Sequence, residues 1–243
     1  MARPPMLEHS HDPADIARRL RDGPQPSYLR DWVYGGIDGT VTTFAIVAGA
    51  VGAQLSTRYL LILGAANLLA DGLSMAASNF TGTRTEIEEY HYLRAMEERH
   101  IDVEPQGERE EIRQIFRTKG FEGQTLEAAV DTITGRRESW VDTMMVEEHG
   151  MAPMTRSPMR AALATFAAFV LCGSVPVLPF ALGAPASVAV SAAMTGLTFF
   201  LIGSFRSRWS PVPWWRSGLE TFAIGMASAG VAYAVGDVLQ KLL

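Results

Sequence analysis

Five apolar runs of about 20 residues each restrict what this 243-residue chain can fold into. They cover Val33–Leu55, Tyr59–Phe80, Ala161–Leu182, Pro185–Phe205 and Gly218–Leu239. A helix of about 20 apolar residues crosses the hydrocarbon core of a bilayer. Five such runs are hard to obtain from the core of a soluble protein with buried helices, which is the alternative. The sequence therefore predicts an all-α membrane protein with five transmembrane helices.

The placement of arginine predicts how these helices are oriented. One side of the predicted membrane has most of the arginines near the apolar runs. They are Arg18, Arg19, Arg21, Arg30, Arg84, Arg156, Arg160, Arg206, Arg208 and Arg216. The other side has only Arg58 and Lys241. Because cytoplasmic loops contain the excess of basic residues, the N-terminus and the segment between the second and third runs are predicted to be cytoplasmic.

A strongly charged segment separates the second apolar run from the third. From Arg84 to Gly150 it contains 17 acidic and 9 basic side chains. Its pattern predicts three helices, at about Thr83–His100, Pro105–Gly120 and Thr125–Glu148, with Gly135 as a point where the third could break. The chain is thus expected to comprise a mobile cytoplasmic tail (1–30), transmembrane helices 1 and 2 (31–81), an acidic cytoplasmic domain (82–158) and transmembrane helices 3–5 (159–243).

Asp38 is the acidic residue that lies well inside the first apolar run. A carboxylate at that depth costs roughly 3 kcal/mol on insertion scales, so a function is expected for it. On a helix, Asp38 shares one face with Asp31 and Thr42. The alternative is a packing role in which Asp38 pairs with an arginine such as Arg30.

The second apolar run has a polar stripe of its own. Its members follow one another at intervals of four and are Asn67, Asp71, Met75 and Asn79. Two such helices can enclose a polar path, either with each other or with a second copy, and Gly35 and Gly39 would allow close helix approach. Taken alone, Met75 would be an ordinary apolar residue. Its thioether combined with a carboxylate suits a divalent transition metal better than Mg²⁺ or Ca²⁺.

The acidic segment has the same kinds of ligand on each predicted helix. Glu97 and His100 are three residues apart on the first helix, and Glu108 and Glu111 are three apart on the second. The third helix ends with Met144, Met145 and Glu148, next to Glu147 and His149. If these faces converge, they form a carboxylate-rich metal site with histidine and thioether ligands. The alternative for each single glutamate is a solvated surface charge.

Several stretches together resemble the vacuolar iron transporter family. They are "GGIDGTVTTFAIVAGA", "NLLADGLSMAASNF" and an acidic insert that contains "GEREEIRQIFRTKGFEG" and "WVDTMMVEEHG". The resemblance extends from about Arg30 to Leu243. It implies a five-span membrane dimer that moves Fe²⁺ out of the cytoplasm in exchange for protons, with its metal-binding domain between spans two and three.

The resemblance also implies which residues handle the metal. The family's transport-path aspartate and methionine match Asp38 and Met75. Its cytoplasmic ligands match Glu97, Glu108, Glu111, Met144, Met145 and Glu148. His100 departs from the pattern, because the family often has a second glutamate at this position. Imidazole is also a good ligand for Fe²⁺ and Zn²⁺, so the change bears on metal preference more than on function.

The sequence therefore predicts a transporter rather than an enzyme. We expect export of Fe²⁺, with Mn²⁺, Co²⁺ and Zn²⁺ as further candidate ions, by a homodimer in a lipid bilayer and without a resident cofactor. The net charge of −5 argues against a nucleic-acid partner. We expect a bacterial inner membrane, or a vacuolar membrane in a eukaryote.

Two alternatives remain open at this point. One is a membrane-anchored ferritin-like iron-binding protein or ferroxidase, because Glu97-x-x-His100 has the form of a di-iron motif. The other is a metal-responsive membrane sensor. A sensor would use the acidic segment but gives no reason for Asp38 and Met75.

Overall fold

The computed structural model describes residues 9–185 and 187–242. Every regular element in these ranges is helical. The helices are α1 (Pro13–Asp22), α2 (Leu29–Gly52), α3 (Thr57–Val103), α4 (Pro105–Thr118), α5 (Gly123–Thr134), α6 (Arg137–Glu147), α7 (Pro158–Ser174), α8 (Leu178–Ala181), α9 (Ser187–Arg206) and α10 (Trp214–Leu242). Residues 1–8, 186 and 243, which belong to the predicted tail, fourth span and last segment, lie outside the described residues.

Four of these helices, α2, α3, α9 and α10, are long and apolar enough to cross a membrane. The prediction of an all-α chain is therefore confirmed, with several helices that are candidates to span a membrane. The third predicted run is covered by α7, which has 17 residues, and by the short α8. Pro176 and Pro179 follow the end of α7 at Ser174, and proline in a helix interior removes a hydrogen bond. The count of five spans remains a prediction.

Helix α3 is longer than predicted. The second apolar run and the first helix of the acidic segment form one unbroken helix of 47 residues, about 70 Å long at 1.5 Å per residue. The expected boundary near Phe80 is wrong, because the lone Gly82 does not interrupt a helix. The helix ends where Glu104 leaves the helical conformation (φ −136°, ψ 60°) before Pro105 begins α4. About 30 Å of hydrocarbon cannot cover this length, so α3 extends well beyond the bilayer.

The acidic segment forms four helical stretches where three were predicted. The third predicted helix is divided at Gly135 into α5 and α6. A side chain at Gly135 would place its Cβ 2.9 Å from the carbonyl oxygen of Asp131. We call the assembly of residues 84–150 the acidic helical cluster. Its core contains Tyr90, Ile101, Ile112, Leu126, Val130, Trp140, Val141, Met144 and Met145.

Helix α2 is the central helix of the apolar part, and α7 and α10 pack closely against it. A Cβ added at Gly35 would lie 2.3 Å from the carbonyl oxygen of Thr165, and one at Gly39 would lie 2.4 Å from that of Phe169. The close helix approach expected at these two glycines is therefore present, and it is made with α7. The face of α2 that includes Tyr34, Asp38 and Thr42 is only partly covered within the chain.

Candidate metal sites

Glu97 is the central residue of the acidic helical cluster. It lies on α3 and is only 1% exposed. Its Oε1 atom is 2.9 Å from Nε2 of His149, whereas Oε2 has no hydrogen-bond partner in the described part of the chain. A buried carboxylate oxygen without a partner is costly unless a cation or a proton occupies the place beside it.

Glu108 forms the second half of this arrangement. It lies in the first turn of α4 and is 5% exposed, and its Oε1 atom lies 3.4 Å from Nδ1 of His100. Oε2 of Glu108 is also buried and unpartnered among the residues described. Burial, and then repulsion by Glu111 and Glu97, raises the pKa of Glu108 to about 7. Partial burial and repulsion by neighbouring carboxylates also raise the pKa of Glu111, which is at the exposed rim.

Two groups of three candidate ligands share Glu97. One consists of Glu97, Glu148 and His149, and the other of Glu97, His100 and Glu108. Within each group the ligand atoms lie within 4.8 Å of one another, so a small side-chain movement would bring them around one ion. Carboxylate oxygens with an imidazole form a donor set that fits divalent iron, cobalt or zinc.

Ion pairs between helices position these groups. Arg94 on α3 binds Asp142 on α6, with 2.5 Å between Nη1 and Oδ1. Arg137 on α6 binds Asp102 on α3 at the same distance. Glu97 lies between the two anchoring positions on α3, so these ion pairs hold the first half of α6 alongside this part of α3.

The structure gathers most of the predicted cytoplasmic ligands but separates the methionines from solvent. Glu97, His100, Glu108 and Glu148 fall in the two groups, and Glu111 interacts electrostatically with Glu148 and Glu97. Met144 and Met145 are fully buried in the apolar core of the cluster. Their packing there is evident, and the assignment of their sulfurs as ligands remains a prediction.

Sequence reasoning left His149 out of the ligand set. Helix α6 ends at Glu147, so helical spacing no longer describes the residues that follow. Gly150 adopts a positive φ of 67°, and the amide of Met151 donates to the carbonyl of Met145 (2.8 Å), which turns the chain back at this point. The sequence feature that could have indicated His149 is its position directly before Gly150, a glycine of the kind that ends helices.

In the apolar part, Asp38 is half-buried on α2. The hydroxyl of Thr42 donates to the backbone carbonyl of Asp38 (2.9 Å). Among the described residues, none donates a hydrogen bond to the Asp38 carboxylate. Asn67 on α3 donates to the hydroxyls of Thr42 and Thr43 (3.2 and 3.1 Å), which ties the two helices together.

Met75 lines a cleft of about 330 Å³ between α2, α3 and the chain that leads into α7. Asp31, Ser78 and Arg156 also line this cleft, but Asp38 does not. Of the two residues assigned to the transport path, only Met75 lines this cleft.

Asp31 was expected to share an open polar face with Asp38, but it is buried and paired in the structure. It is 4% exposed, and Nη2 of Arg156 lies 2.7 and 2.5 Å from its two carboxylate oxygens. Asn79 donates to the same carboxylate (2.9 Å) and to Thr165 (2.7 Å). The packing role considered for Asp38 thus belongs to Asp31, and the guanidinium of Arg30 lies over the ring of Tyr34 instead.

Comparison of the sequence with known proteins identifies the family of this chain. Residues 29–237 match the model of the VIT family. A vacuolar iron transporter of Toxoplasma gondii is 32% identical over 228 residues, which are 89% of this chain and 76% of that protein. Vacuolar iron transporter 1 of Arabidopsis thaliana is 30% identical over 217 residues (87% and 86%), and that of Oryza sativa subsp. japonica is 27% identical over 235 residues (96% and 91%). The chain therefore belongs to the vacuolar iron transporter family.

Proposed function

We propose that this protein exports Fe²⁺ from the cytoplasm in exchange for protons and that the acidic helical cluster captures the metal first. Its family is one of transporters, not of enzymes, which argues against the ferroxidase alternative. The observation that carries the proposal is the pair of buried carboxylates, Glu97 and Glu108. Each lies beside an imidazole and has one oxygen without a hydrogen-bond partner among the described residues. Mn²⁺, Co²⁺ and Zn²⁺ are further candidate cargoes for such ligands.

Proton exchange follows from the chemistry of these ligands. A metal ion binds the ionised carboxylate and the neutral imidazole, so metal binding releases protons and protonation releases metal. The raised pKa of Glu108, about 7, puts this competition close to neutral pH. A small fall in pH on the side of the cluster would then favour release of the metal, and a small rise would favour its capture.

The proposed topology has five spans, with α7 and α8 together forming the third. The N-terminus and the acidic helical cluster are cytoplasmic in this arrangement, since the arginines concentrate on their side. The membrane is proposed to be a bacterial inner membrane.

The transport path is proposed to lie between two copies of α2. The face that α7 and α10 leave open includes Tyr34, Asp38, Thr42 and Ala45; Tyr34 is 54% exposed and the others are half-buried. Lipid cannot satisfy a carboxylate on this face, whereas a second copy or a hydrated path can. Identical chains most commonly assemble with twofold symmetry. Such a dimer would bring two Asp38 carboxylates close to one axis.

A pH gradient should drive Fe²⁺ into proteoliposomes. With a lumen one pH unit more acidic than the outside, we expect about tenfold more Fe²⁺ accumulation for each proton exchanged, because one pH unit is worth about 1.4 kcal/mol. Uptake of radioactive Fe²⁺ is measured with and without nigericin, which collapses the gradient. Equal accumulation in both conditions contradicts proton exchange, and oxygen consumption without flux would favour a ferroxidase.

Cysteines on the open face of α2 should cross-link two subunits. We expect Ala45→Cys, two helical turns after Asp38, to give mostly a disulfide-linked dimer in oxidised membranes, once Cys172, the single native cysteine, is replaced by alanine. The matched control is Leu201→Cys on α9, which is exposed on another surface. Cross-linking through Leu201→Cys but not through Ala45→Cys would place the subunit contact elsewhere.

A further inference from the structure

His149 occupies a position that a purely structural role does not fully explain. Its side chain is 16% exposed, and its Nε2 atom lies 2.9 Å from Oε1 of Glu97. A structural histidine would satisfy that one oxygen. The second oxygen of Glu97 is buried and has no partner among the described residues. The ligand atoms of Glu97, Glu148 and His149 converge to within 4.8 Å.

The same arrangement occurs on the other side of Glu97. Nδ1 of His100 lies 3.4 Å from Oε1 of Glu108. Oε2 of Glu108 is likewise buried and has no hydrogen-bond partner in the part of the chain described. Glu97 thus has one imidazole and one further carboxylate on each of its two sides. Two buried carboxylate oxygens without a hydrogen-bond partner among the described residues, each on a side chain that is at least nine-tenths buried, are costly unless a cation or a proton lies beside them.

We propose that His149 is a metal ligand that completes, with Glu97 and Glu148, one of two imidazole-bearing subsites joined at Glu97. This inference rests on the proposed function, in which the acidic helical cluster captures the transported ion. His149 thereby determines specificity. An imidazole nitrogen strengthens binding of Co²⁺ and Zn²⁺ much more than binding of Mn²⁺, for which carboxylate oxygens suffice. With imidazole among its ligands, the acidic helical cluster prefers softer metal ions than a cluster with carboxylate ligands alone.

The test compares metal affinities of the full-length protein in detergent, measured by calorimetry with Co²⁺, Zn²⁺ and Mn²⁺. His149→Gln keeps a side chain that can hydrogen-bond Glu97 but is a poor ligand. We expect it to weaken Co²⁺ and Zn²⁺ binding roughly tenfold or more and Mn²⁺ binding less than about threefold. The control is His91→Gln, an exposed histidine on α3 outside both groups, which should leave all three affinities unchanged.

A second variant and a spectroscopic readout separate ligation from positioning. His149→Asp restores a ligand oxygen, so it should bind Mn²⁺ as well as the wild type while Co²⁺ and Zn²⁺ binding stays weak. X-ray absorption of the Zn²⁺-loaded protein should show imidazole scattering that His149→Gln reduces. Affinities within about twofold of wild type, or an equal loss for all three ions, would overturn the proposal, since the second result would mean that His149 only orients Glu97.

Failure of this inference is distinguishable from failure of the proposed function. If the wild type transports Fe²⁺ in proteoliposomes while His149→Gln binds every ion as the wild type does, only the role of His149 is wrong. If imidazole ligation through His149 is observed but no Fe²⁺ flux occurs, the transport function is wrong and the metal site stands.

Discussion

Asp38→Asn is expected to reduce Fe²⁺ transport at least about 100-fold in a protein that still folds. Asparagine keeps the shape of the side chain and removes its charge. Inserting a carboxylate at this depth costs roughly 3 kcal/mol. If its role in transport offsets that cost, removing the charge slows transport by about 100-fold, because each 1.4 kcal/mol corresponds to about a tenfold change in rate. No described residue donates a hydrogen bond to this carboxylate, so the substitution breaks no ion pair. The measurement is the initial rate of Fe²⁺ uptake into proteoliposomes with equal amounts of protein.

The matched control for this prediction is Asp237→Asn. Asp237 lies near the end of α10, and its carboxylate accepts a hydrogen bond from Lys241 (2.6 Å). Losing an exposed ion pair costs little, so transport should stay within about twofold of wild type. If well-folded Asp38→Asn transports Fe²⁺ at the wild-type rate, Asp38 is not part of the path.

The contrast between Asp31 and Asp38 shows what helical spacing can and cannot predict. The two residues are seven apart and fall on one face of α2, so the sequence gives them the same role. In the structure, Arg156, 125 residues further along the chain, neutralises Asp31 and leaves Asp38 open. A pairing across that sequence distance comes from the packing of α7 on α2, which no local pattern contains.

The helix limits were predictable where composition changes sharply. Helices α2, α9 and α10 coincide with apolar runs, because burial in a bilayer requires such runs. The continuity of α3 was not predictable from hydropathy, since the helix passes from an apolar to a charged environment at Thr83 while its backbone hydrogen bonding continues. The division at Gly135 was only indicated as a weak point, because a glycine inside a helix is often tolerated.

The metal site was predictable to the extent that its ligands lie on helices. The pairs Glu97–His100 and Glu108–Glu111 follow from a spacing of three residues, and the structure brings their helices together through a shared apolar core. His149 was missed because it lies beyond the end of α6, where the turn at Gly150 decides its direction. Met144 and Met145 were assigned as ligands from their place on the third predicted helix and by resemblance. The structure shows them in the apolar core of the cluster, and their role as ligands stays a prediction.

The metal-free protein should lose stability as the pH rises, and a bound divalent ion should restore it. Glu108 has a pKa of about 7 in the folded protein against an ordinary value of 4.5. The folded state holds this proton more tightly than the unfolded chain. The resulting stabilisation is fully present below about pH 4.5 and is lost as the pH rises through about 7. Between pH 5 and pH 8 the loss should be roughly 1–3 kcal/mol.

With metal present, stability should instead increase as the pH rises. The ion binds the ionised carboxylates and replaces the repulsion among them with attraction. At pH 8, Co²⁺ should raise the midpoint of thermal unfolding, and at pH 5.5 it should do so much less. For Glu108 alone, a drop from pH 7 to pH 5.5 lowers the ionised fraction enough to weaken binding by about 15-fold. Thermal unfolding of the full-length protein in detergent, with chelator or with Co²⁺, measures both effects.

Glu108→Gln isolates the contribution of this one carboxyl group. Glutamine is a neutral isostere of the protonated acid, so the metal-free variant should be more stable than the wild type at pH 8, by a smaller margin at pH 5.5, and equally stable below about pH 4.5. It should also respond less to Co²⁺, since one ligand oxygen of the second subsite has lost its charge. Glu110→Gln is the control: Glu110 lies on the same helix, and hydrogen bonds from Gln114 and Arg113 lower its pKa, so it should show none of these pH-dependent gains. If metal-free Glu108→Gln and wild type have the same dependence of unfolding on pH, burial and the neighbouring carboxylates do not keep Glu108 protonated, and the linkage of metal to protons must arise elsewhere in the chain.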